Sequence, residues 1–244
     1  MRLIRVHTNA ALAEGARVTL RGAAAAHVTR VLRLGIGDAV MLFNGDGNDY
    51  PARIGALGRG TVEASVTGLT AARAESPLAV TLAQGIARAE RMDLVVQKAT
   101  ELGVAAIAPV ATARSVVKLD AENSGRKAAH WRGIAVAACE QCGRARVPEV
   151  AEPVSLAARL AKPRPDGVRL LLSPDADAAL VVAVRGATAV ELLVGPEGGL
   201  EESERDSALA AGYRACRLGP RVLRSETAAI AALAVLQAIA GDFR

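Results

Sequence analysis

Two stretches near the C-terminal end carry the residues best suited to hold and transform a small ligand. The first is Glu191-Leu192-Leu193-Val194-Gly195-Pro196-Glu197-Gly198-Gly199, and the second is Leu218-Gly219-Pro220-Arg221-Val222-Leu223-Arg224-Ser225-Glu226-Thr227. In each, a short apolar run breaks into a Gly/Pro loop and then into a helix-like segment, the way an α/β sheet presents backbone to a ligand at its strand ends. Gly195, Gly198 and Gly199 let the main chain approach a bound molecule with no Cβ in between. Either loop alone could be a packing turn; two of the same design mark a site. The spacing matches neither G-x-G-x-x-G nor G-x-x-x-x-G-K-[ST]. Acids at Glu197, Glu201, Glu202 and Glu204 crowd the next helix start, where they complement its dipole and compete with a phosphate. A neutral or cationic ligand is therefore the expectation. Glu226, beside Arg224 and ahead of an apolar helix, is either a helix-start charge or a reactive group.

Other constellations are weaker. Cys139-Glu140-Gln141-Cys142 is formally C-x-x-C, but Cys216, His7, His27 and His130 supply no second ligand pair for zinc. It also sits near the end of a long helical run, away from the helix N-terminus that would lower a thiol pKa. Two buried helical cysteines are expected, without metal or redox chemistry. With three histidines in the chain, no Ser/His/Asp set is defensible. Gln141, Arg144 and Arg146 cluster at a helix end, and Arg114 follows a strand end, where open α/β sheets place ligands.

The elements that must position these residues change character along the chain. Residues 17–20, 39–43, 50–54 and 61–66 read as short strands, with a hairpin at Asn44-Gly45-Asp46-Gly47-Asn48. A short helix over 27–34 would put Arg30 and Arg33 on one face. Residues 68–77 lose alternation and end in Ser-Pro, which places a linker there. Beyond it, a strand at 78–83, a helix at 89–102 stopped by Gly103 and a strand at 104–110 make a βαβ unit. A second long helix covers 120–144, strands follow at 168–172, 190–194 and 215–218, and a helix spans 227–240. A small β domain followed by a mostly parallel α/β sheet is the predicted architecture. The last helix, apolar nearly all round, must be buried in this protein or against a second copy.

Composition bounds the partners. The chain has 244 residues, 51% of them hydrophobic, and a net charge of +5 carried almost entirely by arginine. An acidic partner such as nucleic acid is favoured, although arginine richness also accompanies GC-rich genomes. No leader pattern and no apolar run of about 18 residues is found, and three cysteines argue against a disulfide framework. A cytoplasmic location without membrane contact is expected.

Four motifs in order then carry a resemblance. Val194-Gly195-Pro196-Glu197-Gly198-Gly199, Leu218 through Ala228, Lys98-Ala99-Thr100-Glu101-Leu102-Gly103-Val104, and Glu140-Gln141-Cys142-Gly143-Arg144 through Val147-Pro148 resemble the ribosomal small-subunit RNA methyltransferase E family. Arg30-Val31-Leu32-Arg33-Leu34 with Gly37-Asp38 resembles its PUA-like β barrel, so the likeness spans nearly the whole chain. Arg91 and Ser225 stand where lysine and threonine are common. The resemblance implies a PUA-like RNA-binding domain over 1–70 and a SPOUT methyltransferase domain over 76–244, whose C-terminal segment forms a trefoil knot. It implies S-adenosylmethionine as cofactor, held by Leu172, Ser173, Gly195, Glu197, Gly198, Leu218, Gly219, Val222 and Leu223. It further implies N3 of a uridine in 16S ribosomal RNA of the small subunit as the target, and a homodimer. Within that reading Arg224 and Glu226 are the candidate catalytic pair, and Arg30, Arg33, Arg114, Arg144 and Arg146 the candidate RNA contacts. A SPOUT enzyme for transfer RNA or another base, and a non-catalytic RNA-binding protein, are the alternatives.

Overall fold

The computed structural model describes residues 4–72, 75–115, 121–162 and 167–243, which leaves Asp120 and part of the expected linker outside the described residues. The chain divides into two compact units, Met1–Glu75 with Val136–Val147, and Ser76–Ala135 with Pro148–Arg244.

In the first unit, β1 (Arg5–His7), β2 (Arg17–Arg21), β3 (Ala39–Phe43), β4 (Asn48–Gly58) and β5 (Thr61–Val66) form a sheet in the order β1-β3-β4-β5-β2, with β6 (Thr70–Ala71) beside β4. Pairing is antiparallel except between β1 and β3. Alternation decides the inward face: Val18 and Leu20 of β2 meet Val62, Ala64 and Val66 of β5 in one core with Leu42 and Ile54. The hairpin at 44–48 forms as its residues predict, since Gly45 and Gly47 take φ of 94° and 96° and Asp46 Oδ1 accepts from Asn48 N at 2.8 Å.

The helix expected over 27–34 is different. A short α1 (Gly22–Ala26) widens into a π turn over His27–Val31, and Leu34 N closes it on Val28 O at 3.0 Å. Arg33 takes φ 54°, the one non-glycine residue with positive φ among those described. The argument for one helical face carrying Arg30 and Arg33 therefore fails, although both side chains are exposed.

The second unit is an all-parallel sheet of β7 (Ala79–Gly85), β8 (Ala106–Ala111), β9 (Glu149–Val150), β10 (Val154–Ser155), β11 (Val168–Leu172), β12 (Ala189–Val194) and β13 (Arg214–Cys216). Its order is β10-β8-β7-β12-β11-β13, with β9 on β8. The near-continuous apolar runs of β7, β11 and β12 suit strands covered on both faces. The helices are α2 (Ala89–Glu101), α3 (Ala121–Cys142), α4 (Leu156–Leu160), α5 (Leu180–Ala183), α6 (Glu202–Ala210) and α7 (Ser225–Ala240). Leu156 of α4 and Ala208 of α6 pack with Ala83, Val110, Leu171 and Leu193 of the sheet. α2 and α7 pack on each other, with Ala229, Ala232, Leu233 and Leu236 buried. Expected boundaries hold to within two residues for most elements. β8 starts at Ala106 rather than 104 because Gly103, at φ 76°, and Val104 close the end of α2. No helix among the described residues is long and apolar enough to cross a membrane.

Burial holds for Cys139 of the two helical cysteines expected inside, and not in full for Cys142, which lies in the last turn of α3. It pushes the Cys139 thiol up to about 12 and the Cys216 thiol up to about 11, while Cys142 is only half-buried. The unfolded chain releases these protons above about pH 8.5, whereas the folded chain keeps them until pH nears those raised values. Their contribution to stability is thus complete below about pH 8.5 and is lost as pH climbs toward 11 and 12. Iodoacetamide at mildly alkaline pH is expected to modify Cys142 first, with Cys139 and Cys216 reacting only in denaturant. Mass spectrometry showing three equal rates would overturn this.

Candidate functional site

In the second unit a cavity of about 420 Å³ opens at the C-terminal ends of β11 and β12, the edge where parallel sheets bind ligands. Both glycine loops line it. So do Leu172, Ser173, Gly195, Glu197, Gly198, Leu218, Val222 and Leu223, and Arg224 from the candidate catalytic pair. Gly219 is not in the wall; at φ 72° it shapes the second loop instead. Glu226 is likewise set back, in the first turn of α7 with 12% side-chain exposure and its Oε1 3.8 Å from Arg91 Nε.

The first loop is tight for identifiable reasons. Gly199, at φ 69°, donates its N–H to Pro196 O at 2.9 Å. A side chain at Gly198 would press on Arg114, whose Nη1 donates to Gly198 O at 3.0 Å and whose Nε lies 4.0 Å from Glu201. Arg114 thus steadies the loop.

The acids behave differently from the expectation. Glu201 and Glu204 form a capping box at the start of α6, and Glu204 also accepts from Ala113 N at 2.8 Å. Of the four acids only Glu197 reaches the cavity, and its Oε1 accepts from Arg88 N at 3.0 Å and Arg91 Nη1 at 3.5 Å. The wall presents Arg91, Arg205, Arg221 and Arg224 against Asp175 and Glu197. Glu201 and Glu204 are engaged in holding the helix and loop, while Asp175 and Glu197 stand in the wall among four arginines, so the cavity carries both signs of charge.

The remaining arginines lie in the first unit. Arg30 and Arg33 are exposed, as is Arg146, whose guanidinium lies against Gly47. Arg144 is turned inward: its side chain is 5% exposed and its Nη2 lies 3.0 Å from Glu75 Oε2. A guanidinium held this way is a structural ion pair of the first unit rather than a surface contact. Arg144→Ala is expected to leave Glu75 without its counter-charge and lower stability by about 3 kcal/mol. Chemical denaturation of the variant checks this, and an unchanged midpoint would return Arg144 to the surface roles.

Sequence reasoning missed Gln84, and it named Arg91 and Ser225 without giving them a role. Gln84, fully buried at the end of β7, donates through Nε2 to Ser225 Oγ at 3.0 Å, and Ser225 Oγ donates to Gly195 O at 2.6 Å. Arg91 stands between Glu197 and Glu226. The one available signal was a glutamine inside the apolar run Leu82-Ala83-Gln84-Gly85-Ile86-Ala87.

Comparison with known proteins agrees with this arrangement. Residues 74–237 match a family described as RNA methyltransferase domain, and residues 20–67 match the RNA methyltransferase PUA domain. Ribosomal RNA small subunit methyltransferase E of Bacillus subtilis is 30% identical over 238 residues, covering 94% of this chain and 93% of the relative. Its counterpart from Buchnera aphidicola of Schizaphis graminum is 31% identical over 88% of each chain. A solved structure of ribosomal RNA small subunit methyltransferase E from Neisseria gonorrhoeae, bound to S-adenosyl methionine, has a TM-score of 0.93 at 35% identity over the full length of both chains. With a unit matching the RNA methyltransferase PUA domain, an all-parallel sheet and two glycine loops around one cavity, this chain belongs to the ribosomal RNA small subunit methyltransferase E family.

Proposed function

We propose that this chain methylates N3 of a uridine in the 16S ribosomal RNA of the small subunit, with S-adenosylmethionine as donor. The observation that carries the reading is the meeting of both glycine loops on one cavity, in a chain whose relatives are named for ribosomal RNA methylation. The cavity suits the cofactor. Its volume of about 420 Å³ falls within the roughly 300–1,000 Å³ of small-molecule sites. Leu172, Leu218, Val222 and Leu223 offer apolar wall for a base, and the mixed arginine and carboxylate lining suits a group bearing both charges. Gly195, Glu197, Gly198 and Ser173 would hold it, with Gly219 shaping the second loop. When bound, the cofactor supplies an electrophilic methyl group on a sulfonium sulfur.

The chain's own residues must manage a proton. The N3 lone pair of uracil is delocalised in the imide, so N3–H must be released before or as the new bond forms. That edge is masked in a paired or stacked base, which must first be exposed. Glu226 accepts the proton, and Arg224 stabilises the negative charge that develops on the uracil carbonyl oxygens. Arg30, Arg33 and Arg146 contact the RNA backbone and position it, with Arg114 acting through the loop it steadies and Arg144 through the fold of the first unit. A PUA-like RNA-binding domain over 1–70, a catalytic domain over 76–244 except for residues 136–147, which belong to the first unit, a C-terminal trefoil knot, a homodimer and a cytoplasmic site of action complete the proposal.

Mass spectrometry of ribosomal RNA from a strain lacking the gene tests it. One N3-methyluridine is expected to vanish from 16S ribosomal RNA and return on complementation. Loss of a methyl group from transfer RNA instead, with 16S ribosomal RNA unchanged, would overturn the substrate assignment.

A further inference from the structure

Three chain segments meet beneath the cavity through side chains that the proposed chemistry leaves idle. They are the end of β7, the opening of the first loop after β12, and the first residue of α7 after the second loop. Gln84 is fully buried, and Ser225 is 7% exposed. The serine hydroxyl has one hydrogen, which goes to Gly195 O at 2.6 Å. Its lone pair receives Gln84 Nε2 at 3.0 Å, and the second amide hydrogen of that nitrogen goes to Gly85 O at 3.0 Å. The Gly195 carbonyl can only accept, so Ser225 must donate to it, and Gln84 Nε2 holds the hydroxyl in that orientation by filling one of its lone pairs. Gly195 and Ser225 both line the cavity, one in each loop region. Among the described residues no other hydrogen bond joins the first loop to the start of α7.

We propose that Gln84 and Ser225 are positioning residues, a two-step relay that ties the Gly195 carbonyl to the start of α7 and so sets the separation of the two cofactor loops. Neither touches the reacting atoms. The relay turns the Gly195 carbonyl away from the ligand and keeps the loops at one spacing before any ligand arrives, so the cofactor need not order them itself.

The inference rests on the cofactor reading, and its test separates the two. Ser225→Ala, Ser225→Thr, Gln84→Met and the Gln84→Met/Ser225→Ala pair are compared in the full chain by calorimetry with S-adenosylmethionine and by hydrogen exchange without it. Ser225→Ala is expected to weaken cofactor binding roughly 10-fold, the loss of one buried hydrogen bond's worth of ordering. Ser225→Thr, which keeps the hydroxyl, is expected to bind like the parent. Gln84→Met should reproduce the alanine effect, and the double variant should be no worse than either single one, because both remove the same link. In ligand-free protein, exchange at residues 197–200 and 218–223 should rise together in Ser225→Ala and Gln84→Met and stay unchanged in Ser225→Thr. Additive losses, or exchange rising in one loop alone, would overturn the relay. Failure of the parent protein to bind S-adenosylmethionine would instead overturn the cofactor reading, while the exchange result would still decide the relay.

Discussion

Glu226→Gln is expected to slow single-turnover methylation by roughly 10²- to 10⁴-fold while leaving cofactor affinity within a factor of about two. The substitution keeps size and hydrogen-bonding shape and removes the capacity to take a proton. Two features of the site support so large an effect. Glu226 Oε1 lies 3.8 Å from Arg91 Nε, which holds the side chain from one side. Its Oε2 is buried with no hydrogen-bond partner among the described residues, an arrangement native proteins seldom keep without a use. Glu226 is set back behind the cavity wall, so taking the N3–H requires the side chain to swing from its buried position toward the uracil. The bland alternative treats Glu226 as a favourable charge on the first turn of α7, worth about 0.3–1 kcal/mol of stability and nothing in rate. Rapid-quench measurement with saturating cofactor distinguishes them, and parental single-turnover rates in Glu226→Gln would remove the base role.

Gly85→Val is expected to be damaging to both stability and turnover. Gly85 ends β7 directly beneath the first loop, and a Cβ there would run into Pro196 N, lying 2.6 Å from Pro196 Cδ and 2.8 Å from the Gly195 carbonyl carbon. These are backbone and ring atoms with no rotamer to retreat into. The loop can yield only by moving Gly195, which breaks the hydrogen bond from Ser225. Overpacking of this kind costs about 1–3 kcal/mol, or several degrees in melting temperature for a chain this size. A displacement on the order of 1 Å at the loop is expected to cost roughly 100-fold in turnover. Gly133→Ala is the control: Gly133 sits in α3 with open space where a Cβ would stand, and removing a helical glycine should stabilise by about 0.5–1 kcal/mol. Calorimetric melting and cofactor titration on both variants check the pair. A Gly85→Val protein that melts and binds like the parent would show that the loop has slack the geometry denies.

The contrast between these residues shows which parts of the site could be read from the chain. Gly195, Gly198 and Gly199 announce a loop by type and spacing, and the cavity forms where they predict. The acids after them were legible as residues but not as electrostatics. Glu201 and Glu204 satisfy backbone donors at the start of α6, and Glu197 turns to Arg88 and Arg91, so the wall ends up rich in arginine. Arg144 has the composition of a surface contact and the burial of a core ion pair, because Glu75, 69 positions away, meets it in the first unit. Arg30 and Arg33 were placed on a helix that widens into a π turn and ends early, which no count of side-chain spacing foretells.

By itself, then, the order of residues determined most of what is local, the π turn after α1 excepted. Apolar runs became strands, Gly/Pro breaks became loops at their C-terminal ends, and glycines at positive φ closed helices and hairpins, since each depends on a few adjacent backbone angles. The tertiary structure alone decided which groups confront one another across distance. Gln84 and Ser225 are 141 positions apart, and Arg91 reaches two carboxylates on different segments. Those pairings follow from strand order in the parallel sheet, where β7 lies beside β12, whose C-terminal end leads into the cavity. Strand order is set by the packing of the whole chain, and no local pattern encodes it.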